Sequence, residues 1–359
     1  MEQSLYFEIV RRYFPQLVLS IVERLNEKRT NQLPYFYKEF LTPTFTADCR
    51  WASILADYNR VAADVVALDS ELPLKSRDTI EKVSGDIPKL GMKLYLTEKD
   101  MKTIDAMIAQ NLPINQIVNR IFDDLPRCLE GVWERIEDIF LSELSTGVGL
   151  SKRNNGTGVR VDVGYLTANK FGTSSSWDTA ATCTPVDDIQ KIFDKALDDQ
   201  NTIITVFADD VALNRLYKSQ QVREQYAFNQ GFVGNKIPIL DFDKINNVFF
   251  TKWGVNVRRV ARKVKTEING TKQSTSPYQA GTLVFVCDTN LGNLVWTNVA
   301  ESTRPVRNVE YQTADNFILL SKYSTNDPLR EFTSSQAMVV PVINNVDRIY
   351  TLDSSTVQG

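Results

Sequence analysis

The chain has no histidine among its 359 residues. That absence removes the commonest general base, the commonest zinc ligand and the usual proton acceptor of Ser or Cys nucleophile triads. Cysteine is scarce: four residues, at positions 49, 128, 183 and 287, form no CxxC pair, which argues against a zinc site and a disulfide framework. They read as reduced thiols of a cytosolic protein. A dominant charge is missing too. The 41 basic and 44 acidic side chains give a formal charge of −3, so no global field points to nucleic acid or an anionic membrane. No apolar run reaches the roughly 18 residues of a membrane span. The short stretch from Leu17 to Leu19, between Pro15 and the charged Glu23 and Arg24, is no secretory signal.

What is present is an ordinary globular composition, 43% hydrophobic and 24% charged, with length for about two domains at roughly 150 residues each. Residues 1–31 place Leu5, Ile9, Tyr13, Leu17, Ile21 and Leu25 near helical spacing, an amphipathic arm with Pro15 as a kink or restart. From Leu33 to Trp51 the period dissolves into six aromatics and two prolines, predicting an extended arm laid on another surface. Residues 60–97 read as a long charged hairpin, with Val61–Leu68 and Met92–Thr97 as its strands. Residues 114–145 keep one apolar face (Val118, Leu125, Val132 and Ile139 at sevens), predicting one long helix kinked at Pro126. The Ser/Thr-rich segment 165–184 reads as a linker. A β/α layer follows from Pro185, then β-rich sequence after Gly231, with 317–323 and 337–343 returning to the first domain.

Chemical motifs are few. Asp209-Asp210 after an apolar strand could serve a metal or acid/base role, but helix capping explains the pair with no second acidic cluster. The basic run RRVARKVK (258–265) lacks interleaved aromatics and reads as a solvated strand or subunit contact. GVGLSK (147–152) is a helix stop, not a phosphate loop, and Asn155-Gly and Asn269-Gly are hairpin turns. No metal, cofactor or catalytic residue is singled out.

The order of arm, charged hairpin, long helix, β/α layer and returning strands resembles the major capsid proteins of tailed bacteriophages with the HK97-type fold, most closely the lambda-like capsid protein E family. The residues that carry this are RVAADVVALDSELPLKSRDTIEKVSGDIPKLGMKLYLTEKDM (60–101) and PVRNVEYQTADNFILLSKYSTNDPLREFTSSQAMVVPVINNVDRIY (305–350). The resemblance implies an α+β fold with an N-terminal arm (1–50), an extended loop (51–97), a peripheral domain with a spine helix (98–184), an axial domain (185–304) and a return segment (305–359). It implies a virion shell of pentamers and hexamers, assembled in the host cytoplasm and maturing from a procapsid. Expected partners are a separate or very short scaffold, a portal, a decoration protein and packaged double-stranded DNA bound without sequence specificity; no membrane and no cofactor are expected.

Elementary physics points the same way. A shell subunit offers surfaces that its own chain leaves uncovered, and the aromatic arm and charged loop are the candidates. Tyr35, Phe36 and Phe40 from the arm, with Lys75, Arg77, Asp78, Glu81, Lys82 and Asp86 from the loop, are therefore the predicted interface residues. Other readings stay open: a cellular nanocompartment shell of the same fold or another phage structural protein, and a carboxylate-dependent carbohydrate-active enzyme or binding module using Trp177, Trp253 and Trp296.

Overall fold

In a computed structural model the described residues are 2–27, 34–55, 81–152, 158–231, 239–268 and 270–358. The chain divides into two compact units, each assembled from non-contiguous pieces. The first combines Met1–Trp51, Gly85–Ile139 and Asn293–Pro341. Its elements are α1 (Phe7–Glu27), α2 (Phe36–Phe40), β1 (Leu41–Phe45), β4 (Lys89–Leu96), α3 (Glu98–Ala109), α4 (Ile114–Ile121), the start of α5 (Leu125–Thr146), β13 (Gly292–Thr297), α10 (Ala300–Thr303), β14 (Glu310–Ala314), β15 (Ile318–Asn326) and most of β16 (Leu329–Ile343). A further pair, β2 (Arg50–Leu55) and β3 (Glu81–Asp86), forms its own two-stranded ribbon.

In the first unit the strands form one sheet, ordered β1-β13-β16-β15-β14 with β4 also on β16. Leu96, Leu320, Ala337 and Val339 are buried on it, as are Leu125, Leu129, Val132 and Ile136 of α5. The helix and sheet meet closely. Ser335 Oγ donates to the Cys128 carbonyl at 2.7 Å, and a Cβ on Gly131 would lie 2.1 Å from the Met92 sulfur. The helix predicted over 114–145 is two helices separated by a turn at 122–124, and Pro126 lies in the first turn of α5. Proline is tolerated there because its missing N–H would be unpaired in any case. The apolar phase survives the break because Ile117, Val118 and Ile121 of α4 are buried in the same unit.

The hairpin expected over 60–97 is also corrected. Met92–Leu96 belongs to β4, which pairs antiparallel with β16, placing Tyr95 opposite Phe332 and Lys93 opposite Ser334. Residues 56–80, and so Val61–Leu68, lie outside the described residues. The strand pairing that does form is β2 with β3.

The second unit comprises Ala52–Ser84, Phe140–Gly292 and Val342–Gly359. It contains the hairpin β5 (Val148–Lys152) with β6 (Gly158–Asp162), β7 (Lys170–Thr173), α6 (Pro185–Asp198), β8 (Thr205–Asp209), α7 (Asp210–Lys218), α8 (Gln220–Asn229), α9 (Phe242–Trp253), β9 (Asn256–Val260), the hairpin β10 (Val264–Ile268) with β11 (Thr271–Thr275), β12 (Thr282–Val286) and β17 (Ile349–Val357). Its five-stranded sheet runs β7-β17-β12-β8-β9. Every residue of β12 is buried, as expected of a central strand packed on both faces. Ile189, Ile192, Leu213, Leu216, Ile245 and Phe249 from the helices pack with Phe285 and Leu352 in one core. The expected linker 165–184 is corrected in part, since Lys170–Thr173 pairs parallel to β17.

Glu143 is fully buried in α5, where one oxygen accepts the Ile343 N–H at 2.7 Å and the other has no partner among the described residues. Burial holds its carboxyl well above the ordinary carboxylate range. Because the folded value is raised, its contribution to stability is full in acid and lost as pH rises through that value. Resistance of the wild type to urea should therefore fall with rising pH, and Glu143→Gln, which keeps the acceptor, should flatten that dependence. A second test concerns Gly292, where a Cβ would sit 2.1 Å from the Val342 carbonyl oxygen. Gly292→Ala should cost about 1–3 kcal/mol, read as a lower urea midpoint.

Candidate assembly surfaces

The aromatic segment is held within its own unit. Glu137, wholly buried, accepts the Phe36 N–H at 2.9 Å and the Tyr37 N–H at 3.1 Å, supplying acceptors at the start of the short helix α2. Phe36 and Phe40 are buried and stack at 6.4 Å. Tyr35 is half-buried; its hydroxyl donates to Glu134 at 2.9 Å and its ring meets Trp133 edge-on at 5.7 Å. The Lys38 ammonium sits 3.2 Å from the Trp133 ring centre and 3.6 Å from Asp315, whose carboxylate also accepts the indole N–H at 2.8 Å. The expectation of an extended arm over 33–51 is thus corrected. Its rings find a groove and hydrogen-bond acceptors on α5, and β1 joins the sheet through β13.

The chain start is seated similarly. Glu2 and Ser324 exchange backbone hydrogen bonds at 3.0 and 3.1 Å, beyond the end of β14 on the β15 edge. Buried Glu331 accepts Ser4 Oγ–H at 2.5 Å and Leu5 N–H at 3.0 Å. Burial raises the Glu331 pKa, opposed by the Lys322 charge. Lys322 itself is fully buried and pushed down to about 8 by burial, with Nζ donating to the Ile121 carbonyl at 2.8 Å and Thr333 Oγ1 at 2.9 Å. Sequence reading missed this pair; the signal was a lone Lys and a lone Glu on the inward-facing alternation of two adjacent strands.

The loop residues fare differently. Lys75, Arg77 and Asp78 lie outside the described residues; Glu81 and Lys82 open β3, and their side chains are likewise not described. Asp86 is exposed and 3.7 Å from the equally exposed Arg50, a pair worth little in water. At the ribbon base, a Cβ on Gly85 would lie 2.8 Å from the indole nitrogen of buried Trp51.

Candidate catalytic features resolve into structural ones. Asp209 caps α7 by accepting the Val211 and Ala212 N–H groups, and Arg259 pairs with Asp210 at 2.6 Å. Trp177 donates to Asp188, Trp253 donates to Gln190 and stacks on Phe193, and Trp296 packs on Phe45. Among the described residues no group of three or more Cys, Asp or Glu could hold a metal, and no helix is long and apolar enough to cross a membrane. Cys128 and Cys287 are buried, with their thiols pushed up to about 12 by burial.

The family model for phage major capsid protein E matches residues 55–352. The chain belongs to that family. Solved structures share its fold, two of them over nearly the whole chain. A capsid protein described for a prophage of E. coli CFT073 superposes with a TM-score of 0.60 at 14% identity, covering 94% of this chain and 98% of that one. A phage-related protein from Bordetella bronchiseptica RB50 gives 0.51 at 11% identity, covering 95% and 98%. No curated protein matches the chain. This capsid protein is thus a phage shell component with the mixed α+β fold expected from its sequence.

Glu137 tests how firmly the aromatic segment is seated. In this capsid protein Glu137→Leu deprives two buried N–H groups of that acceptor, at a cost of about 1–3 kcal/mol for each. Limited proteolysis should then cut within residues 34–46, while far-UV circular dichroism stays unchanged.

Proposed function

We propose that the chain is the major capsid protein of a tailed double-stranded DNA phage, forming pentamers and hexamers of a closed icosahedral shell with no catalytic step of its own. The family match over residues 55–352 carries this reading. A scaffold and portal guide assembly, a decoration protein adds to the shell, and the genome is packaged without sequence-specific binding. The extended loop bridges neighbours through Lys75, Arg77, Asp78, Glu81, Lys82 and Asp86. Exposed charge pairs of this kind contribute about 0.2–1 kcal/mol each, which favours reversible, self-correcting assembly. The aromatic arm is left out of this role because its own unit buries Phe36 and Phe40.

Expression of the chain, followed by light scattering on size-exclusion fractions and negative-stain microscopy, should show rings, tubes or closed shells. A monomer that stays monomeric at high concentration, even with its scaffold supplied, would sink the reading. Charge reversal at Arg77 or Lys82 should lower particle yield while leaving the subunit folded; unchanged yield from both variants would remove the loop from the interface.

A further inference from the structure

The outward side of the sheet around β4 and β16 carries two cations, Lys93 and Arg330, with no ion-pair partner among the described residues. Residues directly opposite across antiparallel strands share a face, so Tyr95, Phe332 and Tyr323 lie in a row across β4, β16 and β15. Their rings are in contact, Tyr95 with Phe332 at 5.8 Å and Phe332 with Tyr323 at 5.3 Å. Lys93 holds its ammonium 5.2 Å from the Phe332 ring centre, and Arg330 holds its guanidinium 4.2 Å from that of Tyr95. Both cations therefore converge on one ring pair.

The positions facing outward with them on β4, β16 and β15 include no Asp or Glu. The third cation on this face, Lys89, is paired with Glu301 at 3.0 Å. Ring faces offset part of the repulsion between two like charges, but they leave the outer N–H groups without a protein acceptor among the described residues. An anion with several oxygens completes such a site, and a guanidinium fits a phosphate through two parallel hydrogen bonds. Phe332 and Tyr323 are buried with Val309 packed against them, while Lys93 and Tyr95 are exposed and Arg330 is half-buried, so the open part of the face lies over β4 and the start of β16.

We propose that Lys93 and Arg330 form a sequence-independent contact for the phosphodiester backbone of double-stranded DNA. This deepens the capsid reading, on which the choice of polyanion rests. The basic run at 258–265, the more obvious candidate in sequence, is not this site. Its Arg259 is already paired with Asp210, and its Arg262 is buried.

The test is fluorescence anisotropy of a labelled random-sequence duplex titrated with the full chain over a salt series, for the wild type, the double variant Lys93→Gln/Arg330→Gln and a control Lys263→Gln. Loss of two phosphate contacts should reduce the slope of log affinity against log salt by about 2. The control should bind as the wild type does, and thermal melts should show all three folded. No duplex binding by the wild type, or equal slopes in wild type and double variant, would overturn the proposal. Particle yield is scored on the same preparations. If the double variant loses particles but keeps its DNA affinity, the face meets a second copy of the chain and the DNA contact is wrong. Failure of the wild type to form particles would count against the capsid reading alone, because the duplex titration is read on the free subunit.

Discussion

Buried carboxylates that accept hydrogen bonds from remote stretches of chain hold each unit together. Glu137 takes two N–H groups from a segment 101 and 100 residues away, Glu143 takes one from 200 residues away, and Glu331 takes one from 326 residues away. Asp209 does the same for Gly281, 72 residues away, while Asp188 fixes the nearer Ser174 and Trp177. A carboxyl group removed from water is costly unless its oxygens are satisfied. Each of these groups therefore favours one placement of the distant segment over its alternatives. Apolar burial alone is non-directional and would tolerate sliding; a carboxylate facing a particular N–H does not.

That constraint explains why units built from non-contiguous pieces can be well specified. The second unit closes when β17, near the end of the chain, inserts between β7 and β12. The first closes when β15 and β16 receive β4 on one strand and the chain start on the other. Glycine permits the closest approaches: at Gly131 and Gly292 a side chain would collide with a neighbour at 2.1 Å. With its aromatic and N-terminal segments secured in this way, the subunit leaves weakly paired charges at the surface, such as Asp86 with Arg50. A shell assembled from many copies needs contacts of that modest strength.

The architecture was legible where local pattern and burial coincide. The apolar run TLVFV became a wholly buried central strand, Asp209 capped the helix that follows it, and Gly147 ended α5 with a left-handed backbone. It was illegible where two environments satisfy the same residues. The rings of 35–40 needed burial, and nothing local distinguishes a groove on a neighbour from the one on α5 beside Trp133 and Glu137. The run Met92–Thr97 was recognisably a strand, but its partner, β16, lies more than 200 residues on and leaves no trace in local spacing.

The sequence by itself determined the class of protein. The missing histidines removed the commonest general base and zinc ligand, the balanced charge gave no global field, and two long stretches carried the capsid resemblance. Those properties are sums over composition or patterns local to one segment. Tertiary structure alone decided which segments meet. It turned a supposed arm into a packed wall, seated the chain start on Glu331, and gathered Lys93 and Arg330 over one pair of rings. The reason is physical: cross-strand register brings together residues far apart in sequence, and only once they are adjacent do burial and charge act between them.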